Sequence, residues 1–350
     1  MIRILVAAAV AFLLVLVLTP LAIRILTTKK IGQFVREDGP QAHFVKRGTP
    51  TMGGLVIVGG ALIGFFVAHL IPGLTPLTSS GLLAVGTILS MGLLGFVDDY
   101  LKVNRRRSLG LNKTAKLLGQ ALIALAFVAI SPHTQAAREV SFVRPLGVGL
   151  GVLFVVWIFV IISASSNGTN LADGLDGLCC GSGAMVMGAY VIIAFWQVRH
   201  PCGGPGGLSA GCYHAPHSLD LAMVAAAMLG ASAGFLWWNA APAKIFMGDT
   251  GSLALGGGMA ALAILTNTQL LLIVLGGLFV VEVSSVVLQV ISYRLFGRRL
   301  FLMAPIHHHF ELAGWPEFTV IVRFWVLAAL SIAFGLGLFY AEFIAAGGIG

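Results

Sequence analysis

Charge is what this chain has least of. Only 10% of its 350 residues are Asp, Glu, Lys or Arg, and 13 of them are acidic, where a soluble chain carries roughly a quarter charged residues. With 58% hydrophobic residues and a mean hydropathy of +0.97, a soluble enzyme is excluded. No Walker-A string occurs and no G-x-G-x-x-G follows a strand, so neither P-loop ATP hydrolysis nor a Rossmann cofactor is expected. HExxH spacing is missing too, which removes the common zinc-hydrolase arrangement. What remains is an all-α, polytopic membrane protein.

Long apolar runs alternate with short polar connectors. They predict ten spans near 2–24, 52–71, 80–98, 116–131, 147–164, 178–198, 219–238, 250–267, 269–293 and 319–343, each about the 20 residues that cross ~30 Å of hydrocarbon. The first run is too long for the apolar region of a signal peptide, and Pro20 is followed by basic residues, so it reads as a retained span. Residues 1–350 form one membrane domain with no soluble appendage.

Net charge is +8 and the pI about 9.6, a balance that could suggest nucleic acid, but its distribution points to membrane orientation and no nucleic-acid partner is expected. The first connector holds Arg24, Lys29, Lys30, Arg36, Lys46 and Arg47, and the third holds Lys102, Arg105, Arg106, Arg107, Lys113 and Lys116. Lys244, Arg294, Arg298, Arg299 and Arg323 continue the same parity, and the opposite face keeps Arg3, Arg138, Arg144 and Arg199. The positive-inside rule then puts odd connectors in the cytoplasm and both termini outside, in the periplasm. The fifth connector has no Lys or Arg, so its side rests on parity.

Two features lie away from the acidic residues. The outer fourth connector, 131–145, is read as a short hairpin. The outer sixth holds Cys202 and Cys212, where oxidising conditions permit a disulfide; its His200, His214 and His217 read as part of a solvated loop. Cys179 and Cys180, at a span entrance, read as packing residues. The alternation of basic and apolar residues over 293–302 predicts a helix lying in the membrane interface. Lone His69 and His133 read as packing or interface residues, and Glu282, near the middle of the ninth span, as a buried carboxyl paired with a neighbouring helix.

The groups that could do chemistry gather at connectors of one parity. Asp98 and Asp99 close the third span, where they face mutual repulsion and the negative end of the helix dipole. Lys102 and Lys116, or a divalent metal, would supply the missing cation. Asp173 and Asp176 share a face of a turn beside glycines that admit a close ligand. Asp249 opens the eighth span, where a plain N-cap would also explain it, yet it is a further acid on the same face. Hard oxygen ligands around phosphates suit Mg²⁺. His307, His308 and His309 cannot all point one way, and imidazoles beside carboxylates suit phosphate contacts or proton transfer.

These strings together resemble the phospho-N-acetylmuramoyl-pentapeptide transferases of the polyprenyl-phosphate N-acetylhexosamine-1-phosphate transferase superfamily. They are Asp38-Gly39-Pro40, Lys46-Arg47-Gly48-Thr49-Pro50-Thr51-Met52-Gly53-Gly54, Gly95-Phe96-Val97-Asp98-Asp99-Tyr100, Asn170-Leu171-Ala172-Asp173-Gly174-Leu175-Asp176-Gly177, Phe246-Met247-Gly248-Asp249 and Ala304-Pro305-Ile306-His307-His308-His309-Phe310-Glu311. The resemblance spans nearly the whole chain; the longer Gly- and Cys-containing sixth connector is the one departure.

The resemblance implies that undecaprenyl phosphate attacks UDP-MurNAc-pentapeptide, with Mg²⁺ as cofactor, at the cytoplasmic face of the bacterial inner membrane. It implies Asp249 as principal Mg²⁺ ligand, Asp98 as the base towards the lipid phosphate, Asp99 beside it at the metal or phosphates, and Lys116 as a phosphate contact. Lys46, Thr51, Asn170, Asp173, Gly174, Asp176, Asn239 and Phe246 would form the nucleoside pocket, with Phe246 on uracil. His307, His308 and His309 would close over the pyrophosphate or sugar. A homodimer is one oligomeric state the family allows. Two other readings stay open: a transferase using UDP-GlcNAc, and a membrane transporter or flippase, although transporters keep ionisable groups near the midplane and only Glu282 lies there.

Overall fold

The computed structural model describes residues 1–29, 31–32, 48–71, 77–105, 110–134, 138–203, 211–215 and 217–348. Lys46 and the Asp38-Gly39-Pro40 string lie outside them. Twelve α-helices run in chain order among the described residues: α1 Ile2–Thr28, α2 Gly54–His69, α3 Ser79–Asn104, α4 Lys113–Ile130, α5 Phe154–Ala172, α6 Leu178–Arg199, α7 Ser218–Asn239, α8 Gly248–Leu265, α9 Leu271–Leu275, α10 Gly277–Phe296, α11 Ile306–Leu312 and α12 Glu317–Ala345. Nine helices among the described residues are long and apolar enough to cross a membrane. At the place of the second expected span, α2 has 16 residues, about 24 Å at the usual rise per residue and short of a full crossing.

Helix α8 is the axle of the bundle. Its sequence is rich in Gly, Ala and Ser, and every residue from Asp249 to Leu265 is buried. Small side chains let neighbouring backbones approach, which is how helices associate where lipid removes the hydrophobic drive between them. Accordingly α3, α5 and α2 pack around α8, while α1 packs on α7 and α2. The outer helices turn apolar side chains outward: Leu118, Leu122 and Leu125 of α4, Val281 and Leu288 of α10, and Leu327 and Leu330 of α12 are exposed, as a lipid-facing surface requires.

Two expectations need correction. The ninth span is not continuous: α9 ends at Leu275 and α10 starts at Gly277, with Gly276 between them. No separate interfacial helix covers 293–302. Tyr293–Phe296 complete α10, Gly297 ends it in the left-handed conformation (φ 64°), and the following residues are irregular. Gln289 holds that stretch against α10 by accepting from the Leu300 and Phe301 amides at 3.0 and 2.9 Å.

At one end of the bundle the expected hairpin is present, β1 (Glu139–Ser141) pairing antiparallel with β2 (Pro145–Gly149). Cys202 and Cys212 are joined as a disulfide. Arg144 ties this end together: Nε meets Glu342 of α12 at 2.6 Å, the guanidinium donates to the Gly211 and Cys212 carbonyls, and it lies over the Tyr213 ring. His69 is more than packing, its Nε2 sitting 3.3 Å from buried Asp220, which also accepts from the Thr78 amide and hydroxyl.

Candidate active site

The opposite end is built on the contact between α3 and α8. A Cβ at Gly95 would stand 2.1 Å from the Asp249 carbonyl, so only glycine allows α3 this close to the start of α8. One turn further on, Asp99 reaches the first turn of α8. It accepts from the Asp249 amide (3.1 Å), the Thr250 amide (2.9 Å) and the Thr250 hydroxyl (2.8 Å). First-turn amides have no partner within their own helix, and here a carboxylate from the neighbouring helix caps them. Asp249 is therefore not its own cap, and its side chain faces the lysines instead.

Asp98, Asp99 and Asp249 are all buried, and one carboxylate oxygen from each lies within 4.8 Å of the others. Two carboxylates at that separation repel by about 3 kcal/mol at an effective dielectric near 20. The Lys102 ammonium sits among them, 2.6 Å from Asp98 Oδ2, 2.8 Å from Asp249 Oδ1 and 3.8 Å from Asp99 Oδ1. Lys116, in the first turn of α4, lies 2.6 Å from Asp249 Oδ2 and 3.4 Å from Asn170 Oδ1. Asp98 further accepts from the Leu111 amide at 2.8 Å. The three carboxylates lie close enough together to hold one metal ion, and two lysines offset their charge.

The loop after α5 borders this cluster. Asn170 donates to Ser252 of α8 (3.0 Å). Burial and the nearby Asp249 and Asp99 push the Asp173 carboxyl well above the usual carboxylate range, against the Gly248 amide and Lys102, which favour its charged form. Asp176 accepts from the Ala243 amide at 2.9 Å, which docks the 240–247 turn. Asn239 braces that turn from within, donating to the Ile245 carbonyl. Phe246 is stitched to the Thr-Pro-Thr string, its amide donating to Pro50 and its carbonyl accepting from Gly53. Its ring is half-exposed. Thr51 Oγ1 stands 3.1 Å from where a Gly248 Cβ would be.

The His307 and His308 rings meet edge to face with centroids 4.2 Å apart, and His309 takes a separate direction. His307 is fully buried, with Nδ1 3.0 Å from Glu282 of α10. His308 Nδ1 lies 2.6 Å from Glu311. His309 Nδ1 accepts from the Leu302 amide, and its ring packs against Phe301 and Phe310. Both His307 and His308 reach Gly174, where a Cβ would meet their Nε2 atoms at 2.7 and 3.4 Å.

Of the residues singled out in the sequence, Asp98, Asp99, Asp249, Lys116, Asn170 and Asp173 meet in one cluster. Asp176, Asn239, Phe246 and Thr51 form its flank, Gly174 links it to His307 and His308, and His309 faces away. Two participants carry no site role in the sequence reading: Lys102 enters there only as a cation that offsets Asp98 and Asp99, and Thr250 not at all. Lys102 stands three and four positions after Asp99 and Asp98, a spacing that puts all three on one helix face and could have selected it. Thr250 carried no signal beyond following Asp249.

The glycosyl transferase family 4 model matches residues 82–267, and the phospho-N-acetylmuramoyl-pentapeptide-transferase signature 1 matches residues 46–58. Similar proteins carrying the name phospho-N-acetylmuramoyl-pentapeptide-transferase include one from Frankia alni, 53% identical over 98% of this chain and 99% of the relative. Another, from Saccharopolyspora erythraea, is 52% identical over 97% of each chain. A third, from Mycolicibacterium paratuberculosis, is 52% identical over 98% of this chain and 99% of its own. At that identity, end to end, the chain belongs to the phospho-N-acetylmuramoyl-pentapeptide-transferase family.

Proposed function

We propose that this chain transfers phospho-MurNAc-pentapeptide from UDP-MurNAc-pentapeptide to undecaprenyl phosphate, giving lipid I and UMP, the first membrane step of peptidoglycan synthesis. The observation that carries the reading is the buried Asp98–Asp99–Asp249 triad facing Lys102 and Lys116 at one end of a lipid-facing bundle. The distribution of Lys and Arg puts that end at the cytoplasmic face of the inner membrane. Both termini then lie outside, with the short α2 taken as the tenth crossing, its length deficit met by local thinning of the bilayer. A nucleotide sugar from the cytosol and a lipid phosphate from the bilayer would meet there.

Phosphoryl transfer is mostly positioning and electrostatics. Asp249 is the residue that would principally hold Mg²⁺, which when bound offsets pyrophosphate charge and stabilises the UMP leaving group. Asp99 has both oxygens occupied by α8 donors, so its part is to fix the start of α8 and with it Asp249. Asp98 keeps Oδ2 on the ammonium of Lys102 and is the carboxylate best able to take a proton from the lipid phosphate. Lys102 and Lys116 would move from carboxylates to phosphate oxygens as substrate arrives. Phe246 and the 240–247 turn supply the half-exposed aromatic edge for uracil.

The test is UMP release by the purified protein with undecaprenyl phosphate, UDP-MurNAc-pentapeptide and Mg²⁺. Release that stops on chelation and returns with Mg²⁺ is expected. No release would remove the enzyme reading and leave a transporter or flippase, and release only with UDP-GlcNAc would select the related transferase.

A further inference from the structure

Glu282 and His307 are both fully buried, with Oε1 and Nδ1 3.0 Å apart. The pair is not aligned as a hydrogen bond, and no other described group hydrogen bonds to either side chain. A fully buried carboxyl on a membrane helix is costly and persists where it has a task. A small rotation of the ring would bring Nδ1–H onto the carboxylate. The other ring nitrogen, Nε2, faces Gly174: a Cβ there would lie 2.7 Å away. Gly174 sits between Asp173, whose carboxyl is near the Gly248 amide and Asp249, and Asp176, which docks the 240–247 turn through Ala243. One line of contacts therefore runs from α10 through His307 to the loop that separates the acidic cluster from the nucleoside flank.

We propose that Glu282 is a positioning residue for the transfer reaction: it orients His307, whose buried ring sets the height of the Asp173–Gly177 loop beside the acidic cluster. The inference rests on the transferase reading above. His307 has no exposed surface, so it acts as a strut under the loop, and the partly exposed His308 is left as the imidazole nearer to substrate. A displacement of the loop by about an ångström would cost up to roughly 10²-fold in rate while leaving nucleotide binding largely intact.

Replacing a buried pair that serves stability alone with an apolar residue of similar volume is often neutral or stabilising. Glu282→Leu therefore separates the two roles. Expected is an unchanged or raised melting temperature in detergent, a KM for the nucleotide sugar close to that of the parent, and a kcat lower by roughly 10- to 100-fold. Glu282→Gln keeps an acceptor for Nδ1–H and should recover most of that loss. A leucine variant with parental kcat, or a glutamine variant no better than leucine, overturns the proposal. If the leucine variant does not fold, the cycle between Glu282→Ala and His307→Gln decides: a double variant no worse than the poorer single supports the strut, and independent, multiplying losses refute it. Parental protein without UMP release would instead overturn the transferase reading, so the two failures are distinguishable.

Discussion

The two ends of the bundle treat charge in opposite ways. At the disulfide end ionisable groups are matched locally: Arg144 has Glu342 and two carbonyls, and Asp220 has Thr78 and His69. At the acidic end three buried carboxylates share Lys102 and Lys116, and Asp173 presses in beside them. The first arrangement lowers the energy of the folded chain. The second crowds like charges that two lysines must offset, the kind of arrangement the proposed reaction would use to take up a cation and a polyanionic substrate. Stability and chemistry are thus divided between the ends of one set of helices.

That division can be broken by substitution. The largest effect is expected at Asp249→Ala, which removes the carboxylate that both lysines contact. UMP release should fall by roughly 10³-fold while the protein still melts cooperatively in detergent, and near-parental turnover would contradict its role. Lys102→Met should come next, with kcat/KM lower by roughly 10²-fold and a lower melting temperature, since Asp98 and Asp249 lose the ammonium between them. Thr250→Val takes away one of three donors to Asp99. It should lower stability by about 1 kcal/mol in thermal unfolding, with a smaller loss of turnover than Lys102→Met. Arg144→Met probes the other end. It should reduce stability by roughly 1–3 kcal/mol and leave kcat within about twofold, and a large loss of turnover there would undo the contrast between the ends.

Much of this contrast was legible in the sequence. Apolar run lengths gave the helices, and connector parity put Asp98, Asp99, Asp173, Asp176 and Asp249 at one end because lipid tolerates such groups poorly. What stayed hidden depends on which helix stands beside which. Asp249 at the first turn of α8 looks like its own cap until Asp99 of α3 is seen to occupy the amides. Three consecutive histidines predict divergence but not that His307 is sealed against Glu282. The ninth span reads as one apolar run because glycine at 276 leaves hydropathy unchanged while α9 and α10 part there. Over 293–302 the alternation of Arg and apolar residues fits an interfacial helix, yet Gly297 ends α10 in the left-handed region and Gln289 takes the next amides.

The most direct measurement is Mn²⁺ binding to the purified protein by electron paramagnetic resonance, with parent, Asp249→Ala and Arg144→Met side by side. One saturable site in the parent and in Arg144→Met, lost in Asp249→Ala, is the predicted result. Equal binding by Asp249→Ala, or none by the parent, would contradict the view that Asp249 holds a cation at this cluster.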